Sequence, residues 1–502
     1  MKYQNPIIPG CNPDPSICRV GDDFYLVVSS FEFFPGIPIY HSKNLVDWEL
    51  MGHCLDTDEK LNLKECAASG GIYAPTIRYH NGTFFLTATN VSDKGNFIVY
   101  TKDLTKGWSD PVWVDQQGID PSLFFDEDGK VYYMTAFGEV FISEINPYTG
   151  ERLTDVKVFN PGCGGKCPEA PHIYKIDGKY YLLLAEGGTE YGHMGTIQRA
   201  DNIYGPYEKC PHNPIFSHKD QVKINIQCIG HGDFVQDTNG NWWVVCLGIR
   251  TLSDFFLNRL LHNLGREIFL APVVWDEYGW PVVGENGLFD YEMEGDLPGK
   301  ISGNINHDFY DDFSKKEFCT YYNFIRNPKQ DAYVRDVDKK QLILYGNHVT
   351  INEIASPTWI GVRQKAFDMT AKVKVRISDA VCETRVGMTA YYNENYHYEI
   401  YLDKQEDGYR VCLGKHIHDI QVISSAKNIQ EIDSVWLKID ADKKRYLFSY
   451  SMDGKEFIEI GTGVTAGLCS ETTMDMSYTG TYIGLFAENG TGYFKEFQVK
   501  NN

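Results

Sequence analysis

Asp120-Pro121-Ser122-Leu123-Phe124-Phe125-Asp126-Glu127-Asp128-Gly129-Lys130-Val131-Tyr132-Tyr133 is the stretch that decides the fold. It reads as an acidic start before Pro, an apolar strand, an Asp-Gly turn and a second, aromatic strand. The same phrase recurs on both sides. Upstream are Asp14-Pro15-Ser16-Ile17 with Gly21-Asp22-Asp23 and Phe24-Tyr25-Leu26-Val27, then Ala74-Pro75-Thr76-Ile77 with Asn81-Gly82 and Phe84-Phe85-Leu86. Downstream are Ala170-Pro171-His172-Ile173 with Asp177-Gly178 and Tyr180-Tyr181-Leu182, then Gly232-Asp233-Phe234-Val235 with Asn239-Gly240 and Trp242-Trp243-Val244. Starts at 14, 74, 120, 170 and 232 differ by 60, 46, 50 and 62 residues. That period suits a four-stranded blade, and five copies predict a five-bladed β-propeller over residues 1–300.

The pattern stops in a connection at 295–308, which holds Gly295-Asp296-Leu297-Pro298-Gly299-Lys300 and Gly303-Asn304. Beyond it, alternating runs such as Ala371–Ile377, Tyr396–Tyr401 and Val435–Asp440 predict an antiparallel β-sandwich over 309–502. The whole chain therefore reads as all-β. Aromatic residues at 14% favour strands and offer flat faces for sugar rings. The 47 basic and 68 acidic residues leave a net charge of −21, which argues against nucleic acid as a partner and does not penalise a neutral substrate. No apolar run is long enough for a membrane span, and Met1–Pro6 lacks the apolar core of a signal peptide. Thirteen cysteines, an odd number spread along the chain, read as reduced thiols and a cytoplasmic location. The close pair Cys163 and Cys167 has no second pair at metal spacing, so a structural role is expected for it.

In a propeller the first strand of every blade begins at the same end of the channel, so equivalent repeat positions converge. Asp14, Asp120 and, one residue ahead of Ala170-Pro171, Glu169 then face one cavity, with His231 and Asp233 at the corresponding edge of the fifth blade. Asp-Pro alone is a common structural start. Three acids in phase are different, because crowded carboxyls raise one another's pKa and such crowding is characteristic of functional sites. Two carboxyls across a neutral bond are what glycoside hydrolysis needs, one to protonate the leaving oxygen and one to activate water or attack.

Asn12-Pro-Asp-Pro-Ser16, Gly70-Gly-Ile-Tyr-Ala-Pro75, Gly118-Ile-Asp-Pro-Ser122, Pro168-Glu-Ala-Pro-His172 and Gly230-His-Gly232 together resemble glycoside hydrolase family 43. The closer resemblance, over nearly the full length, is to its two-domain β-xylosidases and α-L-arabinofuranosidases, which implies a concanavalin-A-like, lectin-type sandwich. It implies Asp14 as general base, Glu169 as general acid and Asp120 as the group that tunes and orients Glu169. It implies substrate contacts from Arg266, Phe31 and Tyr73, the last standing where many xylosidase relatives carry Trp. A sandwich loop is expected to close the pocket, with Tyr478 as its aromatic. His231 is matched either to a histidine near a bound calcium or its waters or to a plain hydrogen-bonded channel residue. Glu186–Thr189 and Tyr191–His193 match a loop near the pocket.

The resulting expectation is an inverting exo-β-1,4-xylosidase that releases xylose from the non-reducing end of short oligosaccharides. An α-L-arabinofuranosidase, a bifunctional enzyme and a non-catalytic carbohydrate-binding protein are the alternatives. No cofactor is required for that chemistry, and a structural calcium in the channel is compatible with the reading. A homo-oligomer is compatible with the reading.

Overall fold

The computed structural model describes every residue except 222, 253–259, 304, 305, 379–382, 407, 430–433, 476 and 502, so Asn304 of the expected connection lies outside the described residues. Each of the five repeats folds into an antiparallel sheet whose first four strands pair in chain order. In the third, Ile119–Phe125, Val131–Ala136, Val140–Glu144 and Lys157–Asn160 follow one another outward. The first strands of the five sheets, Ser16–Val20, Thr76–His80, Ile119–Phe125, Glu169–Ile176 and Ile226–Gln236, pack around a common axis. The fold is a five-bladed β-propeller. Its ring is closed outside the blades, where Lys2–Gln4 pairs with Glu292–Glu294 behind the fifth blade.

One carboxylate ties the blades together along the axis. Asp233 of the fifth blade accepts from Ser16 Oγ at 2.7 Å, from the Ile17 N–H at 3.0 Å, from Tyr174 Oη at 2.5 Å and from Arg78 at 2.8 Å. Those partners come from the first, fourth and second blades. Asp233 is therefore a buried, fully paired anion within the channel and not a member of the acidic cluster, which corrects the sequence expectation. Burial alone would push its carboxyl up, but Arg78 and the hydrogen bonds hold it far below the ordinary carboxylate range.

The remaining strands form two packed sheets, the concanavalin-A-like sandwich. One runs Tyr333–Asp336, Gln341–Tyr345, Thr491–Asn501, Met369–Ser378, Val435–Ala441, Arg445–Ser451 and Ile458–Val464, with Phe309–Asp311 beside Thr491–Asn501. The other runs from Ile420–Ile429 through Tyr482–Glu488 and Trp359–Arg363 to Asn323–Ile325. Its last strand belongs to the propeller: Phe33–Phe34 of the first blade pairs with Ile325 and Phe324. The Phe33 ring lies 4.1 Å from that of Tyr482, and both Phe33 and Phe34 are buried. Both are core residues, packed as an edge strand of the other domain. One buried apolar cluster runs from the first two blades into the sandwich, from Val27, Leu55 and Leu86 to Ile360, Leu413 and Phe448.

Candidate active site

The acids are aimed by a repeated backbone irregularity. Asp14, Asp120, Ala170 and His231 all have φ between +45° and +59°, the left-handed region that disfavours side chains. In three blades the strand register slips at this point, between Ile119 and Ser122, Glu169 and His172, and Gly230 and Gly232. Such a bulge turns a side chain out of the regular alternation and toward the channel mouth. Strained conformations of this kind concentrate at functional sites. The repeat thus supplies Asp14 and Asp120 at one position and Glu169 one residue earlier.

These residues open into a cavity of about 500 Å³ whose wall includes Asp14, Asp120, Glu169, His231, Arg266, Phe31, Tyr73 and Tyr478. All eight sequence candidates are brought together. Arg266 Nη1 donates to Asp14 Oδ1 at 2.9 Å and to Thr189 Oγ1 at 2.9 Å, and Nη2 donates to the Tyr478 carbonyl at 3.3 Å. Ser29 Oγ donates to the other Asp14 oxygen at 2.5 Å, and His231 Nδ1 stands 3.7 Å from Asp14 Oδ1. Phe31, Tyr73 and Tyr478 form a ring triangle with centroid separations of 5.7, 5.9 and 6.0 Å. Gly71 permits the approach of the first two: it has φ +72°, and a Cβ there would lie 2.2 Å from the Phe31 carbonyl oxygen.

The three carboxyls have different electrostatic fates. Burial pushes Asp14 up, but Arg266, His231 and the Ser29 hydroxyl outweigh it and hold the carboxyl below its ordinary value. Arg266 also acts on Glu169 but does not outweigh the opposing effects. Burial and the charge of Asp14 push it up to about 7. Asp120 goes well above the ordinary range, through burial first and then the charges of Glu169 and Asp14. At neutral pH these three acids therefore comprise one ionised carboxylate and a proton-bearing pair, the separation that acid–base chemistry requires. Burial also pulls His231 down, so its imidazole is neutral.

Tyr478 arrives on a sandwich loop docked against the fifth blade and the connection between the first two. The Tyr478 N–H donates to Ser69 Oγ at 2.8 Å, and the Thr481 N–H donates to the Asn263 carbonyl at 2.8 Å. Gly480 lets the loop lie flat, since a Cβ there would stand 2.5 Å from the Leu264 carbonyl. The loop is also held by an ion pair absent from the sequence reading, His262 Nδ1 to Glu471 Oε1 at 2.8 Å, with Ser470 Oγ 3.3 Å from His262 Nε2. Burial would lower the His262 pKa, but Glu471 outweighs it and raises it. Thr189, the partner of Arg266, lies in the Glu186–Thr189 segment, to which the sequence assigned no chemistry.

The expected calcium finds no donor set suited to it. Calcium takes about six to eight oxygen ligands. Near His231 the structure offers the partnerless Nε2 atoms of His172 and His193 and the Arg78 guanidinium, which contacts His172 Nδ1 at 2.9 Å. Among the described residues no three His, Cys, Asp or Glu side chains are grouped to hold a metal ion. In this structure His231 is a neighbour of Asp14.

Comparison with known proteins agrees with this geometry. Residues 3–281 match the family model of glycosyl hydrolases family 43, and residues 310–500 match the β-xylosidase C-terminal concanavalin A-like domain. The chain is 40% identical over 498 residues to a non-reducing end α-L-arabinofuranosidase of Bacteroides ovatus, covering 98% of this chain and 92% of the relative. It is 30% identical over 521 residues to a β-xylosidase of Bacillus subtilis, covering 98% and 97%. The solved Bacteroides ovatus xyloglucan PUL GH43B superposes with a TM-score of 0.94 at 37% identity over the full length of both chains. A xylan β-1,4-xylosidase of Bacillus halodurans gives 0.93 at 29% identity, covering 99% of this chain and 100% of its own.

Proposed function

The chain belongs to glycosyl hydrolase family 43, and from that premise we propose that it is an inverting, exo-acting glycosidase that removes one pentose from the non-reducing end of a short oligosaccharide. The observation that carries this reading is the split of the acids, with Asp14 held ionised by Arg266 and Glu169 held near 7 in one cavity. Asp14 takes a proton from water as the water oxygen bonds to the anomeric carbon. Glu169 gives its proton to the leaving oxygen as the glycosidic bond breaks on the opposite face. Asp120 keeps a proton available to Glu169. Arg266, besides neutralising Asp14, offers N–H groups to a sugar hydroxyl, and the Phe31 ring supports the sugar face. Tyr478 and the loop bearing it close one end, which fits removal of single units better than cleavage within a long chain.

Of the two sugars expected, we put α-L-arabinofuranosyl first. The 40% identical relative carries that activity in its name, and Tyr73 replaces the Trp of many xylosidase relatives. The β-xylosyl reading is favoured by the β-xylosidase of Bacillus subtilis and by a xylosidase/arabinosidase of Butyrivibrio fibrisolvens, 36% identical over 478 residues. Nitrophenol release from the α-L-arabinofuranoside and the β-xyloside ranks the two directly. Proton NMR during hydrolysis tests inversion: the β-anomer of arabinose, or the α-anomer of xylose, should accumulate first. Initial release with retained configuration refutes the mechanism, and no release from either substrate refutes the function.

A further inference from the structure

A second cavity, of about 200 Å³, lies at the seam between the propeller and the sandwich and shares no lining residue with the acidic one. Its wall combines Trp48 of the first blade, His307 and Asp308 of the connection, and Tyr321, Arg363 and Lys365 of the sandwich. The Lys365 ammonium stands 4.6 Å from the centre of the Tyr321 ring and makes no ion pair among the described residues. Arg363 sits on the same wall, with Nε donating to the Cys11 carbonyl at 2.7 Å and no carboxylate partner. Of the neighbouring charges, Arg250 is paired with Glu267, and Asp308 Oδ1 accepts from the Asn501 N–H at 2.8 Å. Burial first, and then the charge of Arg363, pulls Lys365 down to about 8. Burial likewise pulls His307 down to about 4, leaving it neutral.

Two adjacent cations against one acid are notable in a chain with a net charge of −21. A half-buried ammonium without a carboxylate partner is partly desolvated, and an entering anion relieves that cost. The aromatic walls add the second half of a recognition pattern, since an indole or phenol face packs well on the C–H face of a sugar. At roughly 30 Å³ per displaced water the space suits a single ring and no more.

We propose that this seam cavity is a second carbohydrate site that takes a uronate, a monosaccharide bearing a carboxylate, with the carboxylate on Lys365 and Arg363 and the ring against Trp48 and Tyr321.

Calorimetric titration of the full chain with D-glucuronate, D-glucose and acetate tests it. Glucuronate should bind at least about tenfold more tightly than glucose, which lacks the charge, and than acetate, which lacks the ring. Lys365→Gln should weaken glucuronate at least about tenfold, the scale of one charge-assisted hydrogen bond, and leave hydrolysis of a nitrophenyl pentoside unchanged. Equal binding of acetate or glucose overturns the proposal, as does unchanged binding by Lys365→Gln. Competitive inhibition of hydrolysis by glucuronate also overturns it, because the ligand would then occupy the active site. If Lys365→Gln does not fold, saturation-transfer NMR on the unmodified chain decides. Ring-proton saturation of glucuronate that survives excess free arabinose and xylose supports the site, and its loss or absence refutes it.

Discussion

Replacing Asp120 with Asn, an uncharged residue of the same shape, isolates the electrostatic part of the acid's behaviour. In the native cavity Glu169 and Asp120 share protons: burial and Asp14 place Glu169 at about 7, and Asp120 lies well above the ordinary range through burial, Glu169 and Asp14. The pair therefore loses its protons in two steps, the first near 7 and the second higher, and activity persists while a proton can reside on Glu169. Asn removes the second step, so the basic limb of kcat/KM should fall to about 7. The gap between the steps measures the repulsion of two unit charges. At an effective dielectric near 20 and about 4 Å that repulsion is about 4 kcal/mol, or roughly three pH units. Water in the open cavity screens it, and a downward shift of about one to two units is expected. The sign is firm, because the protonated acid is the active form and its activity is lost as pH rises through its pKa. The acid limb belongs to Asp14, already held low by Arg266, and should stay in place or move lower. The assay is the pH profile of kcat/KM on one aryl pentoside for both proteins. A basic limb that stays put or moves up refutes the reasoning, and a lower kcat with an unchanged limb gives Asp120 a purely geometric role.

Asp14→Asn should abolish turnover on activated and natural substrates alike, because water activation is needed for both. Glu169→Gln should retain activity on nitrophenyl substrates and lose it on natural ones, measured as the ratio of the two kcat/KM values. His262→Ala removes one side of a charged hydrogen bond, worth about 1.5–3 kcal/mol when buried and less here because Glu471 is partly exposed. It should raise KM on short substrates several-fold at low pH. The raised His262 pKa means the pair is formed below about 6.5 and lost as pH rises through the folded value, so wild type and variant should converge at high pH. A propeller ending near residue 305 should lose kcat/KM on disaccharides sharply if it folds, since Tyr478 and Glu471 leave with the sandwich.

The parts of the structure legible in the sequence are those coded locally. Each repeat carries its own strand, turn and aromatic strand within about twenty residues, so blade number and the phase of Asp14, Asp120 and Glu169 can be read by aligning the chain with itself. Asp233 lies one position past the repeat start, and its environment is decided by Arg78, 155 positions away. His262 and Glu471 are 209 positions apart, and neither carries a local pattern that announces the other. The two-residue strand at Phe33–Phe34 is too short to show alternation, and its partner strand lies in the other domain. Tyr478 was reached through resemblance rather than spacing, and its docking depends on Gly480 and Ser69, which look ordinary in the sequence.

The pairing of Phe34 with Phe324 has a consequence for biosynthesis, because the two positions are 324 − 34 = 290 residues apart. At about 5–20 residues per second a ribosome needs roughly 15–60 s to make the partner strand after Phe34 has emerged. Through that interval the first blade can fold but two phenylalanines wait without their cover, and the ring itself cannot close until Glu292–Glu294 meets Lys2–Gln4. A polar substitution at Phe33 or Phe34 leaves the acids untouched and acts on the nascent chain's final assembly. Its signature would be a low yield of soluble protein whose surviving molecules retain normal turnover.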